Sequence, residues 1–444
     1  MQRYEAYKDS GIEWIGEIPA GWELLRMKRI GSFAKGAGIK KDEVLPEGMP
    51  CVRYGELYTT YEHCIADPAS FVSDDLFSRS ARLHDGEVVF ALTGENEEDI
   101  GRCVVNLSGE ALAVGGDMLA FTGHRQDGRF IAYSCNSKYF NVQRTLFARG
   151  GIIVHLPAGA VINATIVLPP LPEQQAIADY LDAKTAQIDS IVSQTERSIE
   201  LLREYRKSVI SEAVTKGLDP DAPMKDSGVE WIGEIPAGWT SGKLLRFASL
   251  ESGHTPSKSH PEWWIESQCT IPWITTADVH RFRDGGVIAI SDTVEHISQV
   301  GMDNSSARLL PAGTVALSRT ASVGFSVVLS EPMASSQDFA DWIPGDQLTS
   351  EYLLFCFRAM GPVFDKLMIG STHKTIYMPD IRRLAIPVPP LPEQQAIADY
   401  LDEKTAKIDS LIADKQRQVE LLKEYRKSLI SEAVTGKFKV PGLE

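Results

Sequence analysis

Five short clusters in residues 240–388 are rich in hydroxyl, amide and basic side chains, and two of them, 253–258 and 370–375, begin with glycine. Glycine beside Ser, Thr or Lys can bring backbone N–H groups to phosphate oxygens, whereas Arg and Gln can make paired hydrogen bonds to guanine or adenine edges. The candidate contact residues are Thr255, Ser257, Lys258, Thr275, Thr276, Arg319, Thr320, Gln337, Ser371, Thr372, His373 and Lys374. Each cluster taken alone is more typical of an ordinary polar turn, so that alternative stays open.

Residues 23–168 contain a smaller set of candidates with the same chemistry. These are Lys40, Lys41, Arg53, Tyr54, His124 and Arg125. The tryptophans at positions 14, 22, 231 and 239 could stack on bases, but they lie in repeated segments, where packing in a core or a subunit interface is the expected role.

Motifs of catalysis are missing from the sequence. It contains no GxxxxGK[ST], GxSxG or HExxH pattern, and Gly36-Ala37-Gly38 does not complete GxGxxG. No Asn-Pro-Pro-Tyr tetrad marks an amino-methyltransferase, and no carboxylate–lysine nuclease core is recognisable. We therefore expect a recognition subunit that is not catalytic alone and that holds no metal and no cofactor.

The chain is acidic: it has 45 Lys and Arg residues against 60 Asp and Glu residues, which gives a net charge of −15. This excludes a protein that holds nucleic acid by bulk charge, but not a local DNA-reading face. The 15 basic and 18 acidic residues of 23–168, and the 12 and 15 of 240–388, leave only −3 on each segment. Six cysteines without a CxxC pair, an N-terminus without a signal peptide and no membrane span predict a cytoplasmic protein.

The segments that must position these residues occur twice in the chain, as an internal sequence repeat. The segment Lys8–Trp22 recurs as Lys225–Trp239 with one difference, Ile12 against Val229. The sequence PPLPEQQAIADYLD begins at Pro169 and again at Pro389. The predicted organisation is a constant segment 1–22, a variable domain 23–168, a helix 169–217, a linker and constant segment 218–239, a variable domain 240–388, a helix 389–437 and a tail 438–444.

Each Pro-Glu-Gln-Gln predicts the start of a long helix, because proline suits the first turn and Glu suits the positive helix end. In each helix, apolar residues then recur at alternating spacings of four and three positions, which predicts a coiled-coil seam. The seam residues are Ile188, Val192, Ile199, Leu202, Val209, Ile408, Ile412, Val419, Leu422 and Leu429. Polar residues interrupt the seam at two matching places, Thr195 with Lys415 and Arg206 with Arg426. We expect an antiparallel helix pair, with an interdomain spacer as the alternative.

Both variable segments read as mixed α/β domains. Gly86–Leu92 and Ala111–Phe121 have the pattern of strands broken by turn residues, and Tyr352–Phe364 has the pattern of a helix. The predicted fold class is α/β (α+β): two globular mixed domains separated by two long antiparallel coiled-coil helices, with a pseudo-twofold internal repeat.

These repeated motifs, EWIGEIPxGW and PPLPEQQAIADYLD, around two unlike inserts closely resemble the specificity subunit of type I restriction–modification systems. The resemblance implies that each insert is a target-recognition domain reading one half of a bipartite double-stranded DNA sequence, and that the helices set the gap between the halves. It implies two modification (methyltransferase) subunits and two restriction (endonuclease and translocase) subunits as partners. The partner subunits would use S-adenosylmethionine, ATP and Mg²⁺, and the modification subunits would methylate adenine N6.

The second insert follows the family pattern, with GHTPSK, SRTASVG, SSQDF and GSTHKT. The first departs from it, with the acidic run 92–99 and the segment Arg149–His155 in the corresponding places. The alternatives are a structural adaptor that tethers two protein-binding domains, or a solitary specificity subunit that acts as a decoy. The favoured function predicts a nucleoid-associated location through DNA.

Overall fold

The computed structural model describes residues 2–95, 100–150, 153–370 and 374–443. The chain divides into two compact units: unit 1 is Met1–Thr195 with Gln418–Glu444, and unit 2 is Glu196–Arg417. Each division falls inside a long helix, so each unit holds one variable segment and parts of both helices. No helix in the described part of the chain has the length and apolar character that crossing a membrane requires.

The variable segment of unit 1 is built on a five-stranded and a four-stranded sheet. In spatial order, the larger sheet consists of Ser32–Lys35, Met118–Thr122, Val88–Ala91, Cys103–Asn106 and Cys64–Ile65. The smaller sheet consists of Ser70–Val72, Met49–Val52, Leu112–Val114 and Arg82–Leu83.

Both faces of the larger sheet are buried. Val88 and Phe90 face a core that includes the helices, while Val89 and Ala91 face the core beneath the smaller sheet. This explains the uninterrupted apolar run of that strand, since a strand buried on both faces needs no polar alternation.

Helices and shorter strands complete unit 1. The helices are Glu56–Thr59, Asp74–Arg79, Gly128–Asn136, Lys138–Thr145 and Ala158–Asn163. Small sheets pair Tyr7–Asp9 with Glu17–Pro19, Glu23–Arg26 with Thr165–Leu168, and Val154–His155 with both Thr93–Gly94 and Arg149–Gly150.

Unit 2 repeats this topology although the two variable sequences do not align by eye. Its five-stranded sheet has the order Ala248–Glu251, Phe339–Pro344, Val315–Ser318, Ser326–Leu329 and Ala289–Ile290, again with a parallel fifth strand. The second sheet consists of Glu295–Ser298, Cys269–Ile274 and Ala334–Ser335, and its last pair is parallel like the corresponding pair in unit 1. Strand Met49–Val52 of unit 1 therefore corresponds to Cys269–Ile274 of unit 2.

The remaining elements of unit 2 also have counterparts in unit 1. Strands pair as Met224–Asp226 with Glu234–Pro236 and Thr240–Lys243 with Ala385–Val388. The helices are Val279–Phe282, Gln299–Asp303, Ser350–Ala359, Gly361–Leu367 and Met378–Ile381. The predicted fold class, with two mixed domains and long paired helices, is confirmed.

Two predicted elements are divided in the structure. The segment Ala111–Phe121, predicted as strand broken by turn residues, forms the strands Leu112–Val114 and Met118–Thr122, and the break lies at residues 115–117, where Asp117 has φ +57°. The helix predicted over Tyr352–Phe364 begins at Ser350 and is divided at Met360, so that Pro362 lies in the first turn of a second helix.

The long helices run from Leu171 to Lys216 and from Leu391 to Val434. Gly217, at φ +75°, directly follows the first helix, and Gly436, at φ +69°, follows the second after Thr435. A glycine in this left-handed region is a common helix ending because glycine adopts this φ without strain.

Within each unit the two helix segments are antiparallel. In unit 1, Ile188 and Val192 are buried in the cluster that contains Val419 and Leu429, and Leu422 is partly buried against it. In unit 2, Ile199, Ile408 and Ile412 form a buried cluster with Leu202 beside it, and Val209 lies in the main core. All ten seam residues are thus in apolar surroundings.

The repeated constant segments pack where the helices begin and end. In unit 1, Trp22 is buried and its Nε1–H donates to Glu173 Oε2 at 2.9 Å, beside Gly436. In unit 2, Trp239 donates to Glu393 Oε2 at the same distance, 2.9 Å. These contacts explain why the two segments have nearly the same sequence: each closes the same helix junction.

Candidate nucleic-acid interface

Unit 2 brings its separate polar clusters to one side of the two sheets. The loop 253–258 lies on the loop 335–338, where His254 N–H donates to Ser335 O at 3.0 Å. Thr255 Oγ1–H donates to Gln337 Oε1 at 2.6 Å, which joins two of the predicted contact residues directly.

Close approach of these loops requires Gly253. A Cβ at this position would lie 1.9 Å from Ser335 O. Unit 1 has the same arrangement, since a Cβ on Gly36 would lie 1.8 Å from Gly115 O. Each glycine therefore fixes a loop against the end of the corresponding strand.

A third cluster follows strand Cys269–Ile274, which pairs with Ala334–Ser335. Thr275 is buried, and its Oγ1 accepts the Ala277 N–H at 3.3 Å while its own N–H donates to Asp278 Oδ2 at 3.0 Å. Its hydroxyl thus caps a helical turn, whereas the neighbouring Thr276 is half-buried and more accessible.

The fourth and fifth clusters pair with each other. Arg319 N–H donates to Asp338 O at 2.8 Å, and Ala321 N–H donates to Lys374 O at 3.0 Å. A bridge joins Thr320 to Thr375. We call the joined loops 253–258, 275–276, 318–321, 335–338 and 374–375 the loop face of unit 2. Ser371, Thr372 and His373 lie outside the described residues.

Beneath this face lies a buried carboxyl group. Asp341 Oδ2 accepts the Ser335 hydroxyl at 2.5 Å. Burial raises the pKa of Asp341 to about 7, the Ser335 hydrogen bond opposes the rise, and the nearby Glu251 adds to it. The group therefore supports the 335–338 loop and titrates near neutral pH.

Sequence reasoning missed an aromatic group beside the loop face. The His260 ring stacks on Trp263 with centroids 4.2 Å apart, and Lys258 Nζ lies 5.7 Å from the Trp264 ring centroid. Aromatic faces beside cations are suited to contacts with nucleobases and phosphates. The signal was present in the adjacent tryptophans, which lie outside the repeated segments.

In unit 1 the structure brings together only part of the predicted set. Lys41, Arg53 and Tyr54 line a cavity of about 500 Å³, with Gly38 and Gly116 in its wall. Lys40 is exposed next to Lys41. We call the loops 36–41, 53–59 and 115–117 the loop face of unit 1.

His124 and Arg125 lie elsewhere, beyond the opposite end of strand Met118–Thr122. The His124 ring stacks on Phe121 with centroids 4.7 Å apart, and burial lowers its pKa. The next residues contact the first long helix, since Gln174 Nε2 donates to Gln126 Oε1 at 2.7 Å. These two candidates are therefore not part of the loop face of unit 1.

The acidic run in the first insert is only partly described. Thr93–Gly94 forms a short strand that pairs with Val154–His155, and Thr93 Oγ1 lies 3.2 Å from His155 Nδ1. Residues 96–99, 151 and 152 lie outside the described residues. Within the described ranges, no group of three or more His, Cys, Asp or Glu side chains has the arrangement of a metal site.

Comparison with known proteins gives the same family in several ways. Residues 236–421 match the family described as type I restriction modification DNA specificity domain. The MjaIX specificity subunit of a type I restriction enzyme from Methanocaldococcus jannaschii is 31% identical over 195 residues, which cover 44% of this chain and 43% of that protein. The MjaVIII specificity subunit of the same organism is 23% identical over 96% of this chain and 95% of its own length.

A solved structure shares the fold along nearly the whole chain. It is a chain from work on complex assembly and conformational transition of the type I R-M system, with a TM-score of 0.73 and 19% identity. The match covers 95% of this chain and 99% of that one. At this identity the likeness establishes the fold.

Proposed function

Because this chain belongs to the family of type I restriction–modification DNA specificity subunits, we propose that it selects DNA through its two loop faces, each reading one half of a split sequence. Recognition of DNA sequence is the role of the family. The division of labour between two faces is the further step, and it follows from the two variable segments held in the same constant frame.

One observation carries this proposal. Two segments with different sequences fold around five-stranded sheets with the same strand order and place polar loops at the same strand ends, with Gly36 and Gly253 in equivalent close contacts. A shared scaffold with different loop side chains is what two readers of different base sequences require.

Partner subunits would supply the chemistry. We assign S-adenosylmethionine and adenine-N6 methylation to two modification subunits, and ATP and Mg²⁺ to two restriction subunits. Apolar side chains at matching positions of the helices support docking: Leu201 and Tyr205 of unit 2 are 55% and 49% exposed, and Leu421 and Tyr425 of unit 1 are 58% and 49% exposed. Such exposed apolar side chains are typical of protein interfaces. The location of the complex would be cytoplasmic, with the DNA.

The test is the methylation pattern of cells that express the chain with its modification subunit. We expect N6-methyladenine on both strands of one split motif, and an exchange of residues 240–388 for another insert should change one half only. A structural adaptor would give no DNA selection in a binding assay with random duplexes. A decoy would bind DNA without directing methylation, and unchanged half-sites after the exchange would contradict the two-face proposal.

A further inference from the structure

The cavity of unit 1 contains an arginine whose orientation is fixed by a buried carboxylate. Arg53 Nε and Nη2 lie 2.9 and 2.8 Å from Glu56 Oε1, and Glu56 is only 6% exposed. Glu56 Oε2 accepts the backbone N–H of Arg53 at 3.0 Å, and Ser70 Oγ donates to Oε1 at 2.5 Å. Both carboxylate oxygens are therefore in use, and the guanidinium is held from one side.

The other edge of the guanidinium remains available. Arg53 lines the cavity with 35% of its side chain exposed, and within the described residues no hydrogen bond occupies its Nη1. The Nη1 and Nη2 groups form a planar fork that suits two acceptors in one plane. Because Glu56 already restricts the side chain, little conformational entropy is lost when a ligand binds.

The charges of the cavity favour a neutral ligand over a phosphate. Its lining contains two cations, Lys41 and Arg53, and two carboxylates, Glu56 and Asp117. The attraction of the arginine for an anion is offset by the carboxylate beside it, whereas the directional fork is retained. Gly38 leaves room for a base edge, since a Cβ at this position would meet no atom within 4 Å.

Resting on the DNA-reading function proposed above, we propose that Arg53 reads a guanine in the half-site of unit 1, by donating to O6 and N7 in the major groove. Guanine is the base that presents two adjacent acceptors on this edge, and an arginine fork matches them. Glu56 is a positioning residue for this contact.

Unit 2 has a different side chain at the equivalent position. Thr275 follows its strand as Arg53 follows Met49–Val52, and its N–H donates to Asp278 Oδ2 at 3.0 Å, as the Arg53 N–H does to Glu56. The backbone arrangement is thus shared, while the arginine fork is specific to unit 1. Arg53→Thr is therefore a substitution that the scaffold already accommodates in unit 2.

The experiment uses the chain assembled with its modification subunits and duplexes in which each base pair of the unit 1 half-site is varied in turn. That half-site is the one that exchange of residues 240–388 leaves unchanged. We expect wild type to require guanine at one position, and Arg53→Thr to reduce the discrimination there by roughly 10- to 100-fold. Arg53→Lys should lose most of the same discrimination because an ammonium lacks the fork. Arg29→Ala, an exposed arginine outside the cavity, is the control.

The outcomes separate this proposal from the one it rests on. An equal loss of binding to all sequences, with a shallower salt dependence, would identify Arg53 as a phosphate contact and overturn the guanine assignment. Unchanged discrimination in both variants would also overturn it. If the wild-type complex selected no split sequence at all, the proposed function itself would fail. An unfolding temperature of Arg53→Thr equal to that of wild type would establish that the variant is folded.

Discussion

Arg426 Nε lies 3.0 Å from Asp189 Oδ1, and this ion pair joins the two antiparallel helix segments of unit 1. The same arginine donates to Glu62 Oε1 at 2.7 Å, so it also holds the variable domain against the helices. Unit 2 repeats the arrangement 220 residues away: Arg206 Nε lies 2.9 Å from Asp409 Oδ1, and Arg206 Nη2 donates to Gly285 O at 2.8 Å. The two arginines that interrupt the apolar seam are therefore paired charges that fix register and domain attachment.

The first prediction concerns these arginines. Replacing Arg426 or Arg206 by Ala should lower the free energy of unfolding by about 1–3 kcal/mol, because each arginine side chain is 15% or less exposed and its removal breaks a charged contact to the other helix and a second contact to the variable domain. Denaturant unfolding measures this loss.

The neighbouring lysines, Lys427 and Lys207, are the matched controls for the two arginines. Both are exposed on the same helix turns, and their replacement by Ala should change stability by less than about 1 kcal/mol. Equal effects of the arginine and lysine substitutions would show that the ion pairs contribute nothing specific.

The second prediction is a pH dependence at Asp341. Burial raises its pKa from 3.8 to about 7, so the folded state binds this proton more tightly than the unfolded state. The resulting stabilisation is complete below about pH 4 and is lost as the pH rises to about 7, at about 1.4 kcal/mol for each pKa unit. Asp341→Asn should therefore remove a decline in the stability of unit 2 between pH 4 and pH 7.

Unfolding of wild type and variant across this pH range measures the difference between them. Asp346→Asn, at an exposed position of the same unit, should leave the decline in place. Parallel stability curves for wild type and Asp341→Asn would contradict a raised pKa at this carboxyl group.

Much of the scaffold could be predicted from the sequence, because the repeats specify it directly. Proline at the first turn and glycine after the last fixed the expected helix ends, and the apolar spacing predicted the seam. The role of Arg206 was not predictable, since its partner Asp409 comes from the other helix and is 203 residues distant.

The candidate sites were predictable in residue type but not in placement. In unit 2 the polar clusters converge because they follow neighbouring strands. In unit 1, Lys41 and His124 are separated by the five-residue strand Met118–Thr122, a length of about 16 Å. Strand order decides which ends meet, and no local pattern of residues encodes that order.

The third prediction concerns phosphate contact by Lys258. This exposed side chain lies beside the aromatic group and the loop face of unit 2. Lys258→Ala should weaken binding to all DNA sequences alike and reduce the slope of log K against log salt by about 0.9, as expected when one phosphate contact is lost. Titrations of the assembled complex at several salt concentrations measure the slope.

Lys366→Ala is the control for this substitution, because the Lys366 side chain is 76% exposed and lies outside the loop face; it should leave the slope unchanged. A loss of binding by Lys258→Ala that depended on the DNA sequence would contradict a phosphate contact.

The fourth prediction tests whether loop placement sets specificity. Gly253→Ala would put a Cβ within 1.9 Å of Ser335 O, so the loop that carries Thr255 must move away from Gln337. We expect the complex to lose discrimination in the half-site of unit 2, while the half-site of unit 1 is read as before.

Gly238→Ala is the control, because its Cβ would meet nothing within 4 Å. Sequencing of methylated adenines after each substitution reports both halves at once. Loss of both halves would indicate that the substitution acts on assembly or folding and not on the placement of this loop.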